Sequence, residues 1–263
     1  GGIMVMDPHT GRIFASAGGF SFYMSQFDRA SQALRQPGSA FKPFVFLAAL
    51  EHGFTPDTIE VDEPVRVGNW QPENYRKKYL GPVALETALA LSLNTISVKL
   101  VLQIGPEAVA AVAHRLGIVS PLGNDASIAL GTSEVTPLEL TSAFVPFSNG
   151  GYPVTAYAVT RILTRDGKVV YERNGSGFPK AVSENDLWGM NRMMRLVVTD
   201  GTGTRANFPG FDIAGKTGTS QDYRDAWFIG WTNTGRPGGM MIGIWLGNDD
   251  NRPTGSSSAL AAG

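Results

Sequence analysis

Strand-like runs gather at the two ends of this chain and helical runs fill its middle, so any sheet must join segments far apart in sequence. Near the start, residues 2–7 and 12–17 are short apolar runs flanking Asp7-Pro8-His9-Thr10-Gly11, the residue types of a hairpin turn. The last third carries three more strand-like runs, at 211–217, 226–232 and 240–246, divided by polar or Gly-rich turns. Between them, Phe41, Phe44, Val45, Leu47, Ala48 and Leu50 recur with helical spacing over 40–53, where Gly53 is a stop. Helical patterns follow at 84–91, 95–104, 106–116, 137–148 and 184–198. Residues 157–164 and 168–172 flank Asp166-Gly167 as a further hairpin. The expected class is α/β of the α+β kind. A sheet lobe over about 1–35 and 152–263 is interrupted by a helical lobe over about 36–151, in a single domain.

Composition narrows the function. Hydrophobic residues make up 43% of the 263 and charged ones 17%, enough apolar mass for a large core and too much for disorder. A net charge of -1 with no basic run excludes a nucleic-acid footprint. The absence of cysteine removes disulfides, thiolate catalysis and cysteine-ligated metals together. His9, His52 and His114 are too scattered for a metal site, and neither metal nor cofactor is expected. No run approaches the ~20 apolar residues of a membrane span, and no leader opens the chain, so any membrane anchor is expected outside this sequence. The strand-like opening and the small-residue tail at 253–263 read as the ends of a domain cut from a longer protein.

Three short motifs carry chemistry. Ser39-Ala40-Phe41-Lys42 puts a serine and a lysine three apart on one face of a helix start. Pro43 has no N–H for the Ser39 carbonyl, so Ser39 belongs at the helix start, where the dipole favours a developing alkoxide. Taken alone the pair reads equally as a serine cap with an incidental lysine. Ser92-Leu93-Asn94 breaks a helical stretch, as a helix cap also would. Lys216-Thr217-Gly218-Thr219-Ser220 follows a strand and offers a lysine beside hydroxyls, either a carboxylate-binding surface or a polar turn. Together, in the order Ser-x-x-Lys, Ser-x-Asn, Lys-Thr-Gly, they are the set found in penicillin-binding proteins and serine β-lactamases.

The resemblance extends along most of the chain. Arg35-Gln36-Pro37-Gly38-Ser39-Ala40-Phe41-Lys42-Pro43 is similar to the nucleophile segment of class A, bifunctional penicillin-binding proteins. So are Asn69-Trp70-Gln71-Pro72-Glu73-Asn74-Tyr75 leading into Gly81-Pro82-Val83, and Glu134-Val135-Thr136-Pro137-Leu138-Glu139-Leu140 closing in Asn149-Gly150-Gly151. Arg224-Asp225-Ala226-Trp227-Phe228 fits as well. The resemblance implies a β-lactamase/transpeptidase-like fold, a five-stranded antiparallel sheet flanked by helices beside an all-helical lobe. It also implies that a glycosyltransferase domain, a membrane anchor and a C-terminal helix on the sheet lie outside this sequence.

By the same resemblance, the chain is a peptidoglycan D,D-transpeptidase on the periplasmic face of the bacterial cytoplasmic membrane. Its partners would be stem peptides ending in D-Ala-D-Ala, β-lactams and other cell-wall synthesis proteins. Ser39 would be the acylated nucleophile and Lys42 its base, with a pKa that must fall by about 3 from the ordinary ~10.4, roughly 4 kcal/mol. Ser92 would relay a proton, and Asn94 would orient Lys42 and bind the donor backbone. Lys216, Thr217 and Thr219, with Gly218 between them, would hold the substrate carboxylate. The backbone N–H groups of Ser39 and Thr219 would form the oxyanion hole. A D,D-carboxypeptidase and a non-catalytic β-lactam sensor share these motifs. A class A β-lactamase is disfavoured because no Glu-x-x-Leu-Asn segment lies between the second and third motifs.

Overall fold

The computed structural model describes residues 1–75, 77–175, 177–232 and 239–254; most of the small-residue tail lies outside them. Along the chain run β1 (Gly2–Met6), β2 (Ile13–Ala17), α1 (Arg29–Gln32), α2 (Lys42–Glu51), β3 (Ile59–Asp62), β4 (Gly81–Ala84) and α3 (Leu85–Ala90). Then come α4 (Asn94–Ile104), α5 (Pro106–Leu116), α6 (Pro137–Ser148), β5 (Arg161–Leu163), β6 (Val169–Glu172) and α7 (Glu184–Thr199). The described strands end with β7 (Ile213–Thr219), β8 (Asp225–Thr232) and β9 (Met241–Gly247).

The expected sheet forms. Its order is β2-β1-β9-β8-β7, every pairing is antiparallel, and Gly2 sits opposite Trp245, so the two ends of the chain lie side by side. Asp166-Gly167 turns β5 into β6 as read from the sequence. The small β3–β4 pair was not legible: each strand has four residues, and Pro82 sits in one of them.

At the centre stands α2, buried from Lys42 through Leu50, a helix apolar on all sides apart from its first and last residues, Lys42 and Glu51. α6 starts in a capping box, with the Thr136 hydroxyl accepting from the Glu139 N–H and the Glu139 carboxylate accepting in return, and Pro137 opens its first turn. It carries Phe144 and Phe147 between α2 and the sheet, where Phe147 stacks on Trp231 at 6.3 Å and Phe144 meets Phe44 edge-on at 5.7 Å. Residues from the sheet (Met4, Trp227, Met241) and from the helices (Phe44, Leu100, Val112, Phe144) share one continuous core. No single described helix is long and apolar enough to cross a membrane.

Candidate active site

Ser39 lies in a 3-10 turn, Gly38–Phe41, directly before α2, where the Lys42 N–H donates to the Ser39 carbonyl. This turn rests on β7 at a distance that two glycines permit. A Cβ on Gly218 would come within 2.4 Å of the Pro37 oxygen, and one on Gly38, at φ +54, within 2.3 Å of the Thr219 oxygen. The preceding segment is pinned: Gly38 N–H donates to Gly131, Arg35 pairs with Val135, and Trp227 Nε1 donates to the Gln36 carbonyl at 2.8 Å. Ser39 is therefore carried on a rigid platform against the third motif.

The Lys42 amine points across to the second motif. It donates to the Ser92 carbonyl at 2.7 Å, to Asn94 Oδ1 at 2.7 Å and to Ser92 Oγ at 3.2 Å. From β7, Lys216 Nζ reaches the same Ser92 Oγ at 3.0 Å and the Thr217 carbonyl at 3.0 Å. The Ser92 hydroxyl thus bridges two fully buried amines. Ser39 is half-buried, and its hydroxyl makes no hydrogen bond among the described residues.

Among the described residues neither lysine faces a carboxylate, and burial acts on both. Burial first, and then the neighbouring Lys216 cation, push Lys42 well below the ordinary lysine value. Burial alone lowers Lys216 to about 7. A neutral Lys42 has two N–H donors and one lone pair. The acceptor-only oxygens of Ser92 and Asn94, both at 2.7 Å, take the two donors and leave the lone pair for a hydroxyl proton.

Ser92 is no ordinary cap. Its φ is +58, the left-handed region that a non-glycine residue enters at a cost of about 1–3 kcal/mol. The start of α4 is capped instead from outside: Asn74 Oδ1 accepts from the Asn94 N–H at 2.8 Å and the Thr95 N–H at 3.3 Å. Asn74 Nδ2 donates to buried Asp62 at 2.8 Å, and Asp62 also accepts from the Thr95 hydroxyl. The Glu73 carbonyl accepts from Asn94 Nδ2 at 2.7 Å, which fixes that amide's orientation. Sequence reading noticed Asn74 within its segment and missed its role as brace, because a cap supplied from 20 residues away has no local spacing.

Of the third motif, Lys216 through Thr219 lie within β7, which runs two residues beyond the strand-like run ending at 217, and Ser220 follows it. Thr219 still pairs with Ala226 across the ladder, which extends the strand two residues past that boundary. Thr202, in the loop after α7, was also missed. Its hydroxyl lies 2.5 Å from that of Thr217 and adds a polar group to the same surface. The flanking Asp200-Gly201-Thr202-Gly203 was its one sequence signal. Among the described residues no group of three or more His, Cys, Asp or Glu side chains is arranged to hold a metal ion.

The family model described as the penicillin binding protein transpeptidase domain matches residues 1–262. Penicillin-binding protein 1A of Rickettsia bellii is 36% identical over 293 residues, spanning 99% of this chain and 36% of the relative. The crystal structure of penicillin-binding protein 1A from Haemophilus influenzae superposes with a TM-score of 0.88 at 26% identity, covering 99% of this chain and 45% of that one. The PonA1 protein of Mycobacterium tuberculosis, solved in complex with penicillin V, gives 0.87 at 26% identity, covering 99% and 74%. The chain thus spans about a third of the length of the curated relative.

Proposed function

The chain belongs to the penicillin-binding protein transpeptidase family, and from that premise we propose that it is a peptidoglycan D,D-transpeptidase working by serine acyl transfer through Ser39. The observation that carries this reading is the Ser92 hydroxyl held between two buried amines, that of Lys42, three residues after Ser39, and that of Lys216.

Neutral Lys42 takes the Ser39 proton as Ser39 Oγ attacks the penultimate D-alanine carbonyl of a stem peptide. The oxyanion is met by the backbone N–H groups of Ser39 and Thr219, donors worth about a hundredfold or more each. The C–N bond then breaks. Lys42 returns its proton through Ser92 to the departing D-alanine amine. In the second half, an acceptor amine attacks the acyl-enzyme and gives its proton through Ser92 to Lys42, which passes it to Ser39 Oγ as the acyl C–O bond breaks, so that Ser39 leaves as a hydroxyl and Lys42 returns to its neutral form. Asn94 has one N–H on the Glu73 carbonyl and a second for the donor backbone. Lys216, Thr217 and Thr219, spaced by Gly218, bind the terminal carboxylate, whose arrival raises the share of charged Lys216. β-Lactams acylate the same oxygen. Residues 1–263 act as one domain, on the extracytoplasmic face of the membrane, tethered by an anchor elsewhere in the full protein and alongside other cell-wall synthesis partners.

The test supplies a peptide ending in D-Ala-D-Ala together with an amine acceptor. Release of D-alanine with formation of the cross-linked product is the expected outcome. Release without cross-linking identifies a carboxypeptidase, and penicillin acylation without any release identifies a sensor.

A further inference from the structure

One contact spans the groove and is not used by the chemistry above. Tyr75 Oη lies 2.6 Å from Tyr223 Oη, with the rings edge to face at 6.2 Å and 88°, across 148 residues of sequence. Tyr75 directly follows Glu73 and Asn74, which hold Asn94 and the start of α4, so it stands on the rim of the wall that carries the second motif. Tyr223 lies four residues after Thr219, on the rim beyond the third motif. Its carbonyl accepts from both the N–H and the hydroxyl of Thr254. Joining the two rims places the tyrosine pair over the groove that separates them.

The contact is built to open. Tyr75 is 72% exposed, so little of its surface is buried by the contact with Tyr223. Asp222 and Tyr223 stand at φ +58 and +56, left-handed values that bulky residues avoid, so the loop holding Tyr223 is kept in a costly shape. We propose that Tyr75 and Tyr223 form a bridge across the mouth of the catalytic groove and select ligands for Ser39 by the bulk that must pass between the two rims. This rests on the acyl-transfer reading and adds to it two specificity-determining residues. Neither tyrosine takes part in proton transfer.

The test compares second-order acylation by piperacillin, with its large acylamino group, and by 6-aminopenicillanic acid, which lacks one. The native chain, Tyr75→Ala and Tyr223→Phe are followed by intact mass, with melting curves to establish that each variant is folded. Tyr75→Ala is expected to raise the piperacillin constant at least fivefold, through the half-saturating concentration rather than the rate at saturation. The constant for 6-aminopenicillanic acid is expected to stay within twofold. Tyr223→Phe, which keeps the ring and loses the hydroxyl contact, is expected to shift piperacillin in the same direction by a smaller factor. Equal changes for both probes, or slower piperacillin acylation in Tyr75→Ala, would overturn the bridge. A native chain that accepts no acyl group from either probe would overturn the acyl-transfer reading along with it.

Discussion

Arg35 and the pair Lys42 with Lys216 are buried cations in the same molecule, yet among the described residues only Arg35 faces a carboxylate. Arg35 Nε donates to Asp225 at 2.7 Å, and its guanidinium lies over the Trp245 ring at 4.9 Å. Asp225 is saturated: Trp245 Nε1 donates to it at 2.9 Å and the Ser220 hydroxyl at 2.6 Å. Among the described residues the two lysines hydrogen-bond to neutral oxygens, from Ser92, Asn94 and Thr217. Arg35, through Asp225, fastens the segment before Ser39 to β8. A buried lysine amine without a carboxylate partner is pushed toward its neutral form, which costs stability. The contrast teaches that depth alone does not decide the charge of a buried basic group: a guanidinium stays protonated in proteins, and an amine depends on its partners.

Removing the base should have the largest effect. Lys42→Met is expected to slow acylation by β-lactam ~10²–10⁴-fold, while its unfolding free energy in urea stays at or above that of the native chain. A marked loss of stability would place Lys42 with Arg35 as a structural cation. Asp225→Ala should do the reverse, costing ~3–5 kcal/mol because Arg35 is left as an uncompensated buried charge. The Arg35→Met/Asp225→Ala double variant should lose less than the sum of the two single losses, a coupling read by a double-mutant cycle.

The pH dependence sharpens the contrast. Lys216 has a folded value of about 7, below its ordinary 10.5, so between those limits the folded chain binds fewer protons than the unfolded one. Its stability penalty is full below pH 7 and fades as pH rises toward 10.5. Unfolding free energy should therefore climb with pH across that window, by up to ~1.4 kcal/mol per pH unit for this lysine. Urea midpoints of Lys216→Met should climb less steeply, and an unchanged slope would mean that Lys216 stays charged in the fold. The smallest effect is expected for Thr202→Val. It should raise the concentration of ligand for half-maximal acylation by ~3–10-fold, about one hydrogen bond, with the rate at saturation unchanged.

Much of this was legible in the sequence where the cause is local. The Asp7–Gly11 turn, the apolar periods of α2 and α6 and the Pro43 constraint on Ser39 each act within a few residues, and each appears in the structure. The three motifs named Lys42, Ser92, Asn94 and Lys216, which the structure brings together in one hydrogen-bonded group. Among the described residues the Lys42 amine is hydrogen-bonded by Ser92 and Asn94. What stayed hidden depends on approach in three dimensions: Asn74 capping α4, Thr202 beside Thr217, and the Arg35–Asp225 pair across 190 residues. Which backbone approaches Gly218, that of the Ser39 turn, emerges only when both segments are in place.

The central claim is that an unpaired buried amine arms Ser39, and intact mass after incubation with benzylpenicillin tests it most directly. The native chain should gain one long-lived penicilloyl adduct, Lys42→Met should gain it far more slowly, and folded Ser39→Ala should gain none. An adduct that persists in Ser39→Ala would contradict the assignment.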